Sequence, residues 1–176
     1  MTPTSGSPGE EPRTVTDLDP FTNALDYPLY IVTAEAAGER AGCLVGFGSQ
    51  CSIRPARFVV WLSKANRTYR VAARADRLAV HLLAHDQGHM ARLFGGETGD
   101  RTDKFARAAW HPGPGGAPVL NEAPAWFVGR VEKRLDGGDH VGFLLAPEVA
   151  QRPAGDSLCL LSLADGHDIT PGHPVN

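Results

Sequence analysis

Two apolar runs near the C-terminal third, Trp126–Leu135 and His140–Val149, flank the tetrapeptide Asp136-Gly137-Gly138-Asp139. Glycines at the centre of such a turn permit the positive φ that hairpins need, so this stretch predicts a long antiparallel hairpin. A hairpin of that length commits the chain to an antiparallel sheet. The rest of the sequence agrees. Short strand-like runs recur at Leu29–Thr33, Cys43–Phe47, Phe58–Leu62, Leu78–Leu83 and Leu158–Leu163, without the strand–helix alternation of a parallel α/β sheet. Phe58–Leu62 (FVVWL) is too apolar for a strand with one wet face. The 20 glycines and 14 prolines of the 176 residues supply many tight turns. About seven strands are expected.

Helical signals are fewer. Asn66 is placed to cap a helix over Arg67–Ala75. Asp86 precedes a segment with Met90, Leu93 and Phe94 on one face. Thr102 precedes a third, pairing Phe105 with Ala109. The expected architecture is mainly β (α+β): a small antiparallel Greek-key barrel with about three short helices. Residues 1–19 hold Pro3, Pro8 and Pro12 and almost no apolar side chains over their first dozen positions, which predicts a disordered tail. A single domain is expected over 20–176.

The formal net charge is −3, so no basic field exists to hold a nucleic-acid backbone or an anionic membrane surface. No apolar run is long enough to span a bilayer, and the N-terminus lacks a signal-peptide pattern. The three cysteines, Cys43, Cys51 and Cys159, form no C-x-x-C pair. A cytoplasmic protein with reduced thiols is expected.

Candidate chemistry concentrates in two places. His81, His85 and His89 are spaced by four, but LAVHLLA is strand-like, so the rings diverge and no metal site is expected. The stretch Gly42–Pro55 (GCLVGFGSQCSIRP) carries an apolar run into Gly46-Phe47-Gly48 and then Ser49-Gln50-Cys51-Ser52. Its glycines suit either a close backbone approach to a flat ligand or a glycine bulge. Ser63-Lys64-Ala65-Asn66-Arg67-Thr68 follows a buried strand and opens a helix. It suits a phosphate, or simply a capped helix with two solvated cations. No nucleophile elbow or P-loop occurs.

Taken in order, these segments resemble the flavin reductase family, whose fold is the FMN-binding split barrel. Gly42, Ser49, Ser52 and Pro55 fall in register with the family's glycine–serine–proline pattern, and an apolar strand follows. Lys64 and Thr68 match its Lys and Thr before a helix. Val80 to Gln87, continuing to Phe94, is similar to its strand, Asp-Gln and helix. Lys104-Phe105, Ala117–Leu120 and Gly138-Asp139-His140 complete the match, which covers roughly Asp26 to Val149. The family's Thr-Ala-Asn-Ser is replaced here by Leu44-Val45-Gly46-Phe47, and the second proline of its Pro-Pro pair by Ala56. Side-chain bonds to a ring edge are therefore lost, leaving backbone amides.

The resemblance implies a homodimeric NAD(P)H:FMN reductase-like enzyme that transfers hydride from a nicotinamide to flavin N5. FMN is the implied cofactor, with FAD or a deazaflavin as alternatives and NADH or NADPH as reductant. A monooxygenase is an implied recipient of reduced flavin. A non-enzymatic flavin- or haem-binding carrier or sensor, or a deazaflavin-dependent reductase, remains the other reading. The implied cofactor-binding residues are Leu44, Val45, Gly46, Phe47, Gly48, Ser49, Gln50, Cys51 and Ser52 for the ring and ribityl chain. Ser63, Lys64, Asn66, Arg67 and Thr68 are implied for the phosphate, and Phe94 as a cover. His140 is the candidate catalytic residue, and the alternative for it is a hairpin histidine bonded to backbone.

Overall fold

The computed structural model describes residues 18–155 and 158–172. The tail expected over 1–19 therefore lies almost wholly outside the described residues. Nine strands follow a four-residue helix α1 (Asp19–Thr22). They are β1 (Tyr30–Ala36), β2 (Glu39–Val45), β3 (Gly48–Ile53), β4 (Ala56–Ser63), β5 (Arg77–Leu82), β6 (Trp110–Pro112), β7 (Pro118–Leu120), β8 (Ala125–Asp136) and β9 (His140–Gln151). Two further helices, α2 (Arg67–Ala72) and α3 (Gly88–Gly96), interrupt them.

Seven strands form one antiparallel sheet in the order β2-β1-β5-β8-β9-β4-β3. The two edges, β2 and β3, are separated in sequence only by Gly46 and Phe47. So short a link cannot cross an open seven-stranded sheet, whose strands lie about 4.8 Å apart. The sheet must curl until its edges nearly meet. They are not hydrogen-bonded to each other as a strand pair, so the barrel is closed in shape and split along one side.

The expected hairpin is β8–β9, with Gly138 at φ +109° and the Gly137 amide donating to the His140 carbonyl. The apolar run at Leu29–Thr33 is explained by burial of both faces of β1. Tyr30, Val32 and Ala34 join an inner cluster with Val60, Leu62, Phe143 and Leu145, into which α2 inserts Val71 and Ala72. Leu29 and Ile31 face the other way, into an outer cluster with Leu83, Met90, Leu93 and Phe94 under α3.

Several local expectations are corrected. Ser49–Ser52, which lies outside the strands expected from the sequence, belongs to the edge strand β3, paired to β4 with a register shift between Gln50 and Ser52. An edge strand tolerates polar side chains because one of its sides meets solvent. Leu158–Leu163 is not a strand. It makes isolated bridges, Leu160 to Ala84 and Ser162 to Pro28, and meets the neighbouring chain segments just past the ends of β1 and β5, where Leu161 O accepts from Leu29 N and Leu161 N donates to Leu83 O, both at 2.9 Å. The cap position before α3 is Gln87, not Asp86, and its side chain instead accepts from Ala84 N. Asp103, not Thr102, caps the third helical segment, which is only a 3-10 turn over Lys104–Ala106. Asn66 caps α2 as expected, accepting from Thr68 N at 3.0 Å, but the α-helix stops at Ala72.

Candidate functional site

The split in the barrel opens a cavity of about 380 Å3. Leu44, Val45, Gly46 and Phe47 form one wall as β2 leaves the sheet. Trp61, Leu62 and Ser63 of β4 form a second, and Asn66 follows them. The two walls are tied together where Trp61 N donates to Phe47 O at 2.9 Å. Asp139 and His140 enter from the hairpin tip, since His140 pairs with Ser63 across the β4–β9 ladder. Phe94 and Gly95, at the end of α3, complete the near side.

The cavity lies on the seam between the two cores. Cys43, Val45 and Leu62 belong to the inner cluster. Leu29, Phe94, Leu44, Leu163 and Ile169 belong to the outer one. Polar groups gather at the other end. Asn66 Oδ1 is committed to its cap, while Nδ2 donates to nothing among the described residues. Ser63 Oγ accepts from Ala65 N at 3.3 Å. The hairpin tip is pinned there by Lys64 N donating to Asp139 O at 2.8 Å.

His140 Nδ1 is 2.8 Å from Asp139 Oδ1, and the hydrogen bond from His140 holds the Asp139 carboxyl below its usual range. The partner of His140 is thus a neighbouring carboxylate rather than backbone. The exposed Phe47 ring stands 5.5 Å from the His140 ring and 6.4 Å from Tyr27. These three rings line one rim of the cavity.

Of the sequence-derived candidates, the structure brings Leu44, Val45, Gly46, Phe47, Ser63, Asn66, Phe94 and His140 to this cavity. Gly48, Ser49, Gln50, Cys51 and Ser52 run away from it along β3. Lys64 is also off the wall, its ammonium paired with Asp136 at 2.9 Å. Arg67 turns to the far side of β2, where it pairs with Glu39 and donates to Gly99 O. There it lines a separate polar cleft of about 580 Å3 with Arg40 and Arg101. Thr68 is buried and hydrogen-bonds the Cys43 side chain, whose thiol burial pushes up to about 11. Gly46 and Gly48 hold no left-handed backbone. A Cβ at Gly46 would make ordinary contacts with Tyr27 at 3.4 Å and Leu29 at 3.8 Å, so that glycine keeps space in the cavity rather than relieving strain.

The three histidines of the spaced set have separate partners. His81 is fully buried against Ile31 O and Leu120 N, His85 faces Asp165, and His89 faces Glu122. Among the described residues no group of three His, Cys, Asp or Glu side chains gathers to hold a metal.

Sequence reasoning gave Lys104 no role. Its side chain is buried at 4% exposure, and Nζ donates to Gly42 O at 3.1 Å and Phe94 O at 2.8 Å. The ammonium so fastens the root of one cavity wall to the end of α3. Its pairing with Phe105, which resembles the family's Lys-Phe, was the sequence signal. The strap at Leu163, Gly166, Ile169 and Pro171, which closes the apolar end of the cavity, was also missed.

A split seven-stranded barrel with a mixed apolar and polar cavity at its opening defines a ligand-binding β-barrel. Comparison with known proteins gives the family: residues 22–161 match the flavin reductase like domain, and the chain belongs to it. It is 32% identical over 110 residues to the FMN reductase (NADH) RutF of Agrobacterium fabrum, covering 62% of this chain and 63% of that protein. It is 31% identical over 112 residues to the "Probable flavin reductase" of Rhizobium meliloti, where it spans 63% of this chain and 35% of the relative. The chain thus spans less than two thirds of the length of these curated relatives. The NADH:FAD oxidoreductase SgcE6 of Streptomyces globisporus superposes with a TM-score of 0.72 at 23% identity, covering 82% of this chain and 89% of that one.

Proposed function

We propose that the chain is a flavin-dependent oxidoreductase that takes hydride from NADH onto a flavin held in the cavity at the split. The observation that carries the reading is the cavity itself, which is apolar on the seam of two cores and polar at Ser63, Asn66 and His140. A flavin has the same division, a flat fused ring at one end and a hydroxylated, phosphorylated chain at the other. The volume of about 380 Å3 falls within the ordinary range for a cofactor pocket. When bound, the flavin supplies an electron-accepting ring, and hydride transfer needs little more from the protein than alignment.

The chain's own residues do that alignment. Leu44, Val45 and Trp61 flank the ring, and the Gly46–Phe47 link leaves room for it. Ser63 and Asn66 take the polar chain, with FMN as the preferred form. The pair Asp139–His140 fixes one imidazole at the rim, where the nicotinamide approaches against Phe47. Phe47 is 51% exposed at that rim and Ile53 78% exposed on β3. Those apolar surfaces fit a homodimer in which a second subunit covers the mouth. A relative of this chain is the reductase component of 4-hydroxyphenylacetate 3-monooxygenase in Salmonella typhimurium, 32% identical over 113 residues. Delivery of reduced flavin to a monooxygenase fits that likeness.

The test is oxidation of NADH by the purified chain with and without added FMN, together with flavin binding by equilibrium dialysis. Flavin-dependent NADH oxidation is expected. Absence of flavin binding would sink the reading, and binding without turnover would leave a carrier. No helix among the described residues is long and apolar enough to cross a membrane.

A second expectation separates the two ends of the cavity. Ser63→Ala with Asn66→Ala removes two neutral hydrogen-bonding groups, each contributing about 1 kcal/mol. FMN affinity is expected to fall by roughly tenfold or more, while lumiflavin, a flavin ring without the ribityl phosphate, is expected to bind as before. An equal loss for both ligands would place the ring, not the chain, at Ser63.

A further inference from the structure

The match to the family ends at residue 161, yet four residues beyond it line the cavity: Leu163, Gly166, Ile169 and Pro171. They belong to a strap that is fixed at several points. Leu163 N donates to Tyr27 O at 2.9 Å, and Ala164 N to Asp26 Oδ1 at 3.1 Å. Gly172 N donates to Gly95 O at 3.0 Å, and Arg92 pairs with Asp168 at 3.2 Å. At Gly172 the strap lies so close to the chain after α3 that a Cβ would stand 2.5 Å from the Glu97 carbonyl carbon.

The charged and histidine side chains of the strap are spoken for. Asp165 accepts from Ser162 and faces His85, while His167 bonds the Ala164 carbonyl. What remains for the cavity is apolar. Leu163 and Ile169 pack into the outer core cluster with Leu44 and Phe94. Ile169 and Leu44 meet across Gly95, where a Cβ would stand 3.3 Å from one and 2.9 Å from the other.

We propose that Leu163, Ile169 and Pro171 form a fixed apolar wall, outside the family's common core, that meets the flavin ring and sets how tightly it is held. This rests on the reading of the cavity as a flavin site. An apolar wall without free donors suits a fused aromatic ring and offers nothing to a phosphate. A wall bonded at both ends is also pre-organised, so the ring pays little to order it. The strap is thus a specificity-determining element for ring retention.

The experiment titrates FMN and lumiflavin, by flavin fluorescence, into the full-length wild type and into Ile169→Ser, Ile169→Val and Pro171→Glu. In Ile169→Ser both affinities are expected to fall by the same factor, about tenfold. Ile169→Val should hold within about threefold of wild type. Pro171 is exposed at the rim, so Pro171→Glu tests the wall even where Ile169→Ser lowers the melting temperature. It should weaken both ligands alike. Wild-type affinity in Pro171→Glu and Ile169→Ser would overturn the wall while leaving the flavin site standing. A loss confined to FMN would overturn it too, because the strap would then meet the polar chain. Failure of the wild type to bind either ligand would remove the flavin reading and the wall with it.

Discussion

Between about pH 7 and about pH 5 the chain is expected to lose roughly 2 kcal/mol of folding stability to a single buried ring, His81. Burial lowers this imidazole to about 4, against 6.5 in the open chain. Its neutral form is locked in one tautomer: Nδ1–H donates to Ile31 O at 2.9 Å and Nε2 accepts from Leu120 N at 3.1 Å. Protonation would turn the acceptor into a donor facing another donor. Between those two values the unfolded chain binds a proton that the folded chain refuses, so stability falls as pH falls. The contribution is complete above the unfolded value and lost progressively down to the folded one. Urea unfolding at the two pH values measures it. His81→Gln keeps a donor and an acceptor but cannot titrate, so its stability should change far less over the same interval. His85, His89 and His140 all face carboxylates and are present in both proteins, so they cancel in the comparison. An unchanged pH slope in His81→Gln would refute the assignment.

Lys104→Ala is expected to cost about 3–5 kcal/mol, because two buried carbonyls lose a charged donor and a cavity opens beside Phe94. Both carbonyls, Gly42 O and Phe94 O, flank the proposed flavin site, so flavin affinity should fall in the protein that remains folded. Burial lowers the Lys104 pKa, a cost that removing the ammonium would recover in part. Lys104→Met, which keeps most of the volume, should therefore be milder than Lys104→Ala. A thermal melt decides: for a chain of this size a loss of about 3 kcal/mol lowers Tm by roughly 6–12 °C. A melting temperature unchanged in both variants would mean that the two carbonyls find other donors.

The sheet was legible because its information is local. The Gly137-Gly138 turn fixes the β8–β9 hairpin, and the continuous apolarity of Leu29–Thr33 reflects two buried faces. The family resemblance added the order of the pieces. Less legible was anything decided by distant partners. The polar run Ser49–Ser52 falls outside the strand-like runs of the sequence, but β4 supplies its ladder from the other side of a turn. Leu158–Leu163 has strand-like side chains but meets β1 and β5 only past their ends, at Leu29 and Leu83, so it makes isolated bridges and no continuous ladder. Lys64 and Arg67 look like anion ligands in the sequence, yet Asp136 and Glu39, 72 and 28 residues away, take them in the fold. Gln87 displaces Asp86 as the residue before α3 because its longer side chain reaches both Ala84 N and Glu122 O.

The two-residue link between the edges of the sheet also bears on how the molecule comes into being. Ser63 reaches His140 only after β4 has found β9, and the β1–β5 and β5–β8 pairings lie between. Closing such loops costs chain entropy before any contact repays it, and topologies of this kind fold in milliseconds to seconds rather than microseconds. The cavity draws its walls from residues 27, 29, 43–47, 61–63, 66, 94–95, 139–140, 163, 166, 169 and 171. No early, partly paired species can own it. A ligand for that cavity would therefore act on the finished barrel, slowing its unfolding and leaving the rate of its assembly untouched.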